Sequence, residues 1–187
     1  MEEEIKLQLE DTTEKMEKAV QHLEDELVRV RAGKATPNIL DGITVDYYGS
    51  ITPLNQVSNI STPDAKTIAI QPWEKTMVEP IEKAILAANI GLTPINNGDL
   101  IRINIPPLTE ERRINLVKQI KTMGENTRVS IRNTRREAND AFKQMKKEGL
   151  SEDLEKDAEA EVQEITNKFT EKVDKLIDAK ELDIMTI

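Results

Sequence analysis

The chain contains no cysteine. That removes disulfides, thiolate metal sites and a cysteine nucleophile together, and it permits a reducing compartment. Aromatic residues are nearly as scarce: one Trp, two Tyr and two Phe make up 3% of 187 residues. Neither a large aromatic core nor a platform for stacking bases can be assembled from so few. The single histidine, His22, stands beside Glu24, Asp25 and Glu26 in a helical pattern, the setting of a solvated side chain rather than a catalytic one. There is no Walker loop and no Gly-rich dinucleotide turn, and Asp46, Asp64 and Asp99 have no metal-ligand spacing. No apolar run reaches the length of a membrane span. The opening Met1-Glu-Glu-Glu-Ile-Lys lacks the apolar stretch of a signal peptide. The expectation is a cytoplasmic protein that is not an enzyme, with no cofactor, no metal and no membrane contact.

What the chain has in quantity is charge: 33% Asp, Glu, Lys and Arg, with a net −9. These residues recur at helical spacing, which suits long solvated helices better than a sandwich. Ile5, Leu9, Met16, Ala19, Val20, Leu23, Leu27 and Val30 mark one stripe of a first helix, ended by Gly33 and Pro37. The next seventy-odd residues differ in texture, holding five of the seven glycines and all eight prolines. Ile43, Val45 and Tyr47 alternate as in a strand, Gly49-Ser50 supplies a turn, and Thr67-Ile68-Ala69-Ile70 is a second β run. Met77 to Ala88 reads as a helix and Leu100 to Ile105 as a last strand, with Trp73 as a cover for this small core or, alternatively, an interface anchor. Pro106-Pro107 closes the segment. Thr109 then caps a helix that runs to Gly149, about 60 Å at 1.5 Å per residue. Ser151 caps another, striped by Leu154, Ala158, Val162, Ile165, Phe169, Val173 and Leu176.

Three long amphipathic segments, none able to bury its stripe alone, predict a three-helix bundle. The class is therefore α+β: a bundle of residues 1–31 and 107–187, discontinuous in sequence, interrupted by a small β/α/β domain at 32–106. Two connections join the domains, one through Arg31, Ala32 and Gly33, the other through Pro106 and Pro107. They are the natural place for a hinge.

Charge is unevenly shared. Thr109 to Glu148 holds 11 Lys/Arg against 6 acids, so this segment is +5 and the remainder of the chain is −14. At a period of 3.5, Val117, Gly124, Ile131, Ala138 and Met145 form one seam position and Ile120, Thr127, Thr134 and Ala141 the other. Lys121, Arg128 and Arg135 share one outer position, Lys118 and Arg132 another, Arg136 and Lys143 a third. Two readings compete. The face is either a solvated one pairing with the acidic helices on each side, or a patch for a polyanion, which the choice of Arg at 128, 132, 135 and 136 favours because its fork fits phosphate.

The strings Pro106-Pro-Leu-Thr-Glu-Glu-Arg-Arg113 and Val129-Ser-Ile-Arg-Asn-Thr-Arg-Arg-Glu-Ala-Asn-Asp140 closely resemble the ribosome recycling factor family. So do Arg31-Ala-Gly-Lys-Ala-Thr-Pro-Asn-Ile-Leu-Asp-Gly-Ile43, Tyr47-Tyr48-Gly49 and Thr52-Pro53-Leu54, in the same element order over nearly the whole chain. The resemblance implies an L-shaped molecule with a transfer-RNA-like outline and a flexible elbow. It implies ribosome recycling after termination: a monomer lies between the subunits against large-subunit ribosomal RNA. With elongation factor G and GTP, it promotes subunit splitting and release of messenger RNA and deacylated transfer RNA. The inserted domain would face elongation factor G.

Carried onto this sequence, the resemblance makes Arg113, Arg132 and Arg135 RNA-facing; Arg128 and Arg136 join them from the helical face. Lys34 departs from the pattern, since many relatives carry Arg there, and it keeps the charge without the fork. The apolar tail from Leu182 is expected to pack on the bundle end near Ile5. Phe142 is the only aromatic of the basic helix, so RNA would be bound through backbone and shape rather than by stacking. The alternative is a structural or chaperone-like helical adaptor that binds protein partners only, without salt-sensitive RNA affinity.

Overall fold

A computed structural model describes residues 1–30 and 32–186. The chain divides into two compact units, Met1–Val30 with Glu111–Ile187, and Arg31–Glu110.

The first unit holds three long helices, α1 (Glu2–Arg29), α3 (Glu110–Lys147) and α4 (Glu152–Met185). α3 stops because Gly149 adopts φ +113°, which lets the Leu150 amide reach back to the Met145 carbonyl at 3.0 Å. Ser151 then accepts from the Leu154 amide at 3.3 Å and starts α4. So short a turn leaves the two helices no arrangement but antiparallel neighbours. α1 also runs antiparallel to α3: Lys15 reaches Glu137 at 3.5 Å, and Ile5 and Leu9 pack near Phe142. Met16, Leu23, Ile120, Ile131, Phe142, Val162 and Val173 are fully buried along the axis. Thr12, Thr127 and Thr166 sit in the same interior, and each hydroxyl donates to the carbonyl four residues back, so none is left unsatisfied.

The seam of α3 departs from strict 3.5 periodicity at both ends. Leu116 rather than Val117, and Phe142 rather than Ala141, are the buried positions. An α-helix near 3.6 residues per turn drifts about 20° per heptad against a 3.5 repeat, so a seam that is centred at Gly124–Ile131 rotates off its stripe toward both ends, where the neighbouring residue becomes the better buried. The C-terminal tail is corrected as well. Ile184 is buried, but the tail lies beside the start of α3, where Arg113 donates to the Met185 carbonyl at 3.4 Å. Ile5 belongs to the opposite end of the bundle, because α4 runs parallel to α1.

In the second unit, β1 (Thr44–Tyr47) and β2 (Ser50–Pro53) form a hairpin. Its two-residue turn has positive φ at both Tyr48 (+50°) and Gly49 (+89°), as a type I′ turn demands. The Gly49 amide donates to the Asp46 carboxylate at 2.8 Å. β3 (Ser58–Asp64), β4 (Thr67–Pro72), β5 (Pro94–Asn96) and β6 (Ile101–Asn104) make an antiparallel sheet ordered β3-β4-β6-β5. Ile68 faces Ile103 and Ile70 faces Ile101 across the central pair. All four are fully buried with Ile81 and Ile85 of α2 (Val78–Ala87). Trp73 does not cover this core: it is 67% exposed. Strand alternation explains the difference, since Ile68, Ile70 and Pro72 take the inward positions and Trp73 follows on the outward side.

The tightest point of the bundle is Gly124, where a methyl group would come within 2.8 Å of Ile177 Cγ1 and 3.0 Å of its Cδ1. Gly124→Ala is expected to lower stability by about 1–3 kcal/mol through overpacking. In Gly124→Ala/Ile177→Ala the two losses should sum to more than the double mutant shows, as read from urea midpoints. Strict additivity would mean the two side chains do not share that space.

Candidate nucleic-acid interface

Burying Ile120, Gly124, Ile131, Ala138 and Phe142 fixes what α3 turns outward. Lys121, Arg128, Arg132, Arg135, Arg136 and Lys143 occupy one flank, at the 3- and 4-residue steps that align side chains along a helix. Beside them runs α4, and the two helices meet in a ladder of polar rungs. Lys121 Nζ lies 3.4 Å from Glu181. Arg128 donates through Nε (3.0 Å) and Nη2 (2.6 Å) to one oxygen of Asp174. Arg135 Nη1 donates to the side-chain carbonyl oxygen of Gln163 at 3.5 Å. Lys146 Nζ lies 3.4 Å from Glu155. Three rungs are cation to carboxylate; the Arg135 rung is cation to neutral amide.

The five candidate arginines are thus not equivalent. Arg128 is the most enclosed, its side chain 25% exposed and committed to Asp174, with Glu125 3.4 Å from Nη1. It braces α3 on α4. Arg132, 43% exposed, donates to Glu125 at 2.8 Å, and that bond holds the Glu125 carboxyl below the usual carboxylate range. Glu125 therefore stays anionic and cancels part of one charge. Arg135 keeps its charge uncancelled on Gln163. Arg136 is exposed, and no ion pair or hydrogen bond engages it among the described residues; the same is true of Lys143 on that face. Arg113 sits at the far end of the helix on the Met185 carbonyl. From Arg132 to Lys143 the flank offers net positive charge to solvent, whereas from Lys121 to Arg128 it is largely cancelled. Pairing with acidic side chains is realised at Lys121, Arg128 and Arg132, whereas Arg135, Arg136 and Lys143 enter no ion pair among the described residues. Phe142 is fully buried and offers no ring for stacking.

The partners Glu181, Asp174 and Gln163 were not singled out in the sequence. A signal existed: Glu181 and Asp174 are seven apart, as are Lys121 and Arg128, in the reverse order that antiparallel helices require. Among the hinge candidates, Ala32 and Gly33 are half-buried and Pro106 and Pro107 exposed, all outside regular secondary structure; Arg31 lies outside the described residues. Gly33 has φ +74°, and a methyl group there would stand 2.8 Å from Leu108 Cγ. Both properties exclude a side chain without rearrangement. His22 is exposed and 3.3 Å from Glu26. No group of acids and histidines among the described residues could hold a metal ion, and no described helix is long and apolar enough to cross a membrane.

Comparison with known proteins bears on the same elements. The family model for ribosome recycling factor matches residues 23–185. The ribosome-recycling factor of Flavobacterium johnsoniae is 56% identical over 187 residues, all of both chains. That of Cytophaga hutchinsonii is 55% identical, covering 99% of this chain and 100% of its own. A ribosome recycling factor solved in solution is 38% identical with a TM-score of 0.81, covering 98% of each chain. A T. thermophilus ribosome recycling factor, placed with E. coli elongation factor G on the E. coli post-termination complex, is 45% identical with a TM-score of 0.64. That match covers 97% of this chain and 99% of the other.

The unequal roles of the arginines predict unequal stability effects. Asp174→Asn should cost about 1–2 kcal/mol, because it withdraws the carboxylate from a half-buried guanidinium. Arg136→Gln should stay within about 0.5 kcal/mol. Thermal melts of the two variants decide it, and equal shifts would contradict the brace.

Proposed function

Because the chain belongs to the ribosome recycling factor family, we propose that it acts on the post-termination ribosome as a monomer, between the subunits. Its α3 face docks against large-subunit ribosomal RNA. With elongation factor G and GTP, it promotes subunit splitting and release of messenger RNA and deacylated transfer RNA. The observation that carries the docking surface is the stretch from Arg132 to Lys143, where, among the described residues, only Arg132 of the four cations Arg132, Arg135, Arg136 and Lys143 is ion-paired, to Glu125. A rigid helix with forked cations and no exposed ring suits phosphate backbone and helical shape rather than base edges. Arg113 would extend the contact at the other end of α3. Arg128 serves it indirectly, by holding α3 to α4.

The bundle contributes stiffness. A helix of 38 residues, packed along its length, transmits force without bending into the gap it occupies. The inserted unit faces elongation factor G, and the connections through Arg31, Ala32 and Gly33 and through Pro106 and Pro107 form the hinge between docking and force. Binding energy and mechanical coupling do the work, and the GTP is hydrolysed by the elongation factor.

Sedimentation with vacant ribosomes across a salt series tests the docking face. With about four phosphates engaged, log K should fall against log salt with a slope of about −3. Arg132→Glu/Arg135→Glu should bind weakly with a shallower slope while keeping wild-type helical content. Salt-independent binding would transfer the contact to protein surfaces. For the hinge, Gly33→Pro replaces φ +74° with a ring fixed near −65°. It should slow subunit splitting several-fold more than it weakens ribosome binding; equal losses in both assays would count against a hinge there.

A further inference from the structure

The ladder between α3 and α4 has one irregular rung, and it falls where the exposed cations begin. Lys121, Arg128 and Lys146 each meet a carboxylate, at 3.4, 2.6 and 3.4 Å. Arg135 meets the amide of Gln163 at 3.5 Å, and that amide's own nitrogen donates to Asn167 Oδ1 at 2.8 Å. The Asn167 contact orients the amide: with its nitrogen committed along α4, its oxygen is the atom presented to the guanidinium. Glu is nearly isosteric with Gln and would form a stronger rung, as the acids do on the neighbouring turns. A carboxylate there would also cancel the charge that Arg135 offers to solvent.

We propose that Gln163 is a positioning residue for RNA docking: it holds the Arg135 guanidinium in place with a neutral acceptor, leaving the full positive charge for phosphate. The inference rests on the reading of the arginine face as the RNA contact. It adds a requirement on α4, namely that the partner of Arg135 be polar and uncharged. Stability and affinity then pull in opposite directions at this position. A carboxylate would tighten the bundle and blunt its surface, whereas an amide fixes geometry alone.

The test uses the full chain and vacant ribosomes over a salt series, with Gln163→Glu, Gln163→Met and Arg135→Gln measured beside wild type. Gln163→Glu should reduce affinity about fivefold at 0.1 M salt and flatten the log–log slope by about 0.7, the contribution of one phosphate contact. Its melting temperature should be equal to or above wild type. Gln163→Met, which removes the acceptor but adds no charge, should keep the wild-type slope. Wild-type affinity and slope in Gln163→Glu, alongside a weakened Arg135→Gln, would overturn the role of Gln163 and leave the arginine face standing. Undiminished binding by Arg135→Gln would overturn both. A loss in Gln163→Glu with an unchanged slope, or with a lowered melting temperature, would mean that the substitution disturbs packing, and it too would overturn the proposal.

Discussion

The lateral pairing of a basic helix with an acidic one sets most of what this molecule can present to a partner. α3 and α4 are long, narrow-seamed and antiparallel, and side-chain pairs at Lys121, Arg128, Arg135 and Lys146 hold them in register. Where an acid stands opposite, as at Glu181, Asp174 and Glu155, the cation is spent within the fold. Where none does, at Gln163, it is left for solvent or ligand. Exposed ion pairs such as Lys121–Glu181 each contribute little to stability, about 0–1 kcal/mol, and the doubly bonded Arg128–Asp174 pair somewhat more. Their larger consequence is to decide which of many cations remain available.

That register depends in turn on close approach. Gly124 gives α4 room to bring Ile177 against the α3 backbone, and Arg128 Nη1 would lie only 3.7 Å from a methyl group added there. The brace and the narrow seam are therefore one piece of structure: the short Asp174 pairing exists because the helices approach at Gly124. A larger residue would push α4 outward and lengthen the rungs on either side. The apolar seam positions the polar ladder, and the ladder sorts the arginines.

Much of this was legible in the residues and some was not. The three helices, the limits at Thr109, Gly149 and Ser151, and the insertion of a β-rich segment between the first two follow from periodicity and from where Gly and Pro fall, although α1 ends at Arg29, four residues before Gly33. The strand from Ser58 to Asp64 escaped notice because it is polar and contains Pro63. It lies at a sheet edge with a register shift between Ser61 and Asp64, where proline is tolerated and little is buried. Trp73 was misplaced because hydrophobicity says that a side chain gains by burial but not which way the strand turns it. The tail was misplaced for a related reason: the stripes predict that helices pack, while their directions depend on the turn at Gly149–Ser151. Pairing specificity was the least visible, since a 3.5 period places arginines on a face without saying which acid stands across from each.

The division of labour along α3 also accounts for the chemistry of the residues chosen. Around Arg128 the requirement is a bidentate donor able to satisfy a carboxylate in a half-buried site, which the guanidinium meets through Nε and Nη2 at once. On the proposed RNA face, Arg132 and Arg135 meet the requirement for a forked cation whose position is constrained before a ligand arrives, whereas Arg136 is engaged by no partner among the described residues. An arginine on a floppy surface would lose side-chain entropy on binding, which subtracts from affinity. Arg132 is held by Glu125, and Arg135 by Gln163 with Asn167 behind it. The two holdings differ in kind: Glu125 orients its arginine and partly neutralises it, whereas Gln163 orients without neutralising. A face assembled only from the first kind would be rigid and weakly cationic, and one of free arginines would be strongly cationic and loose. On the proposed RNA face, combining the two would leave a helix in a net-acidic chain both ordered and attractive to phosphate.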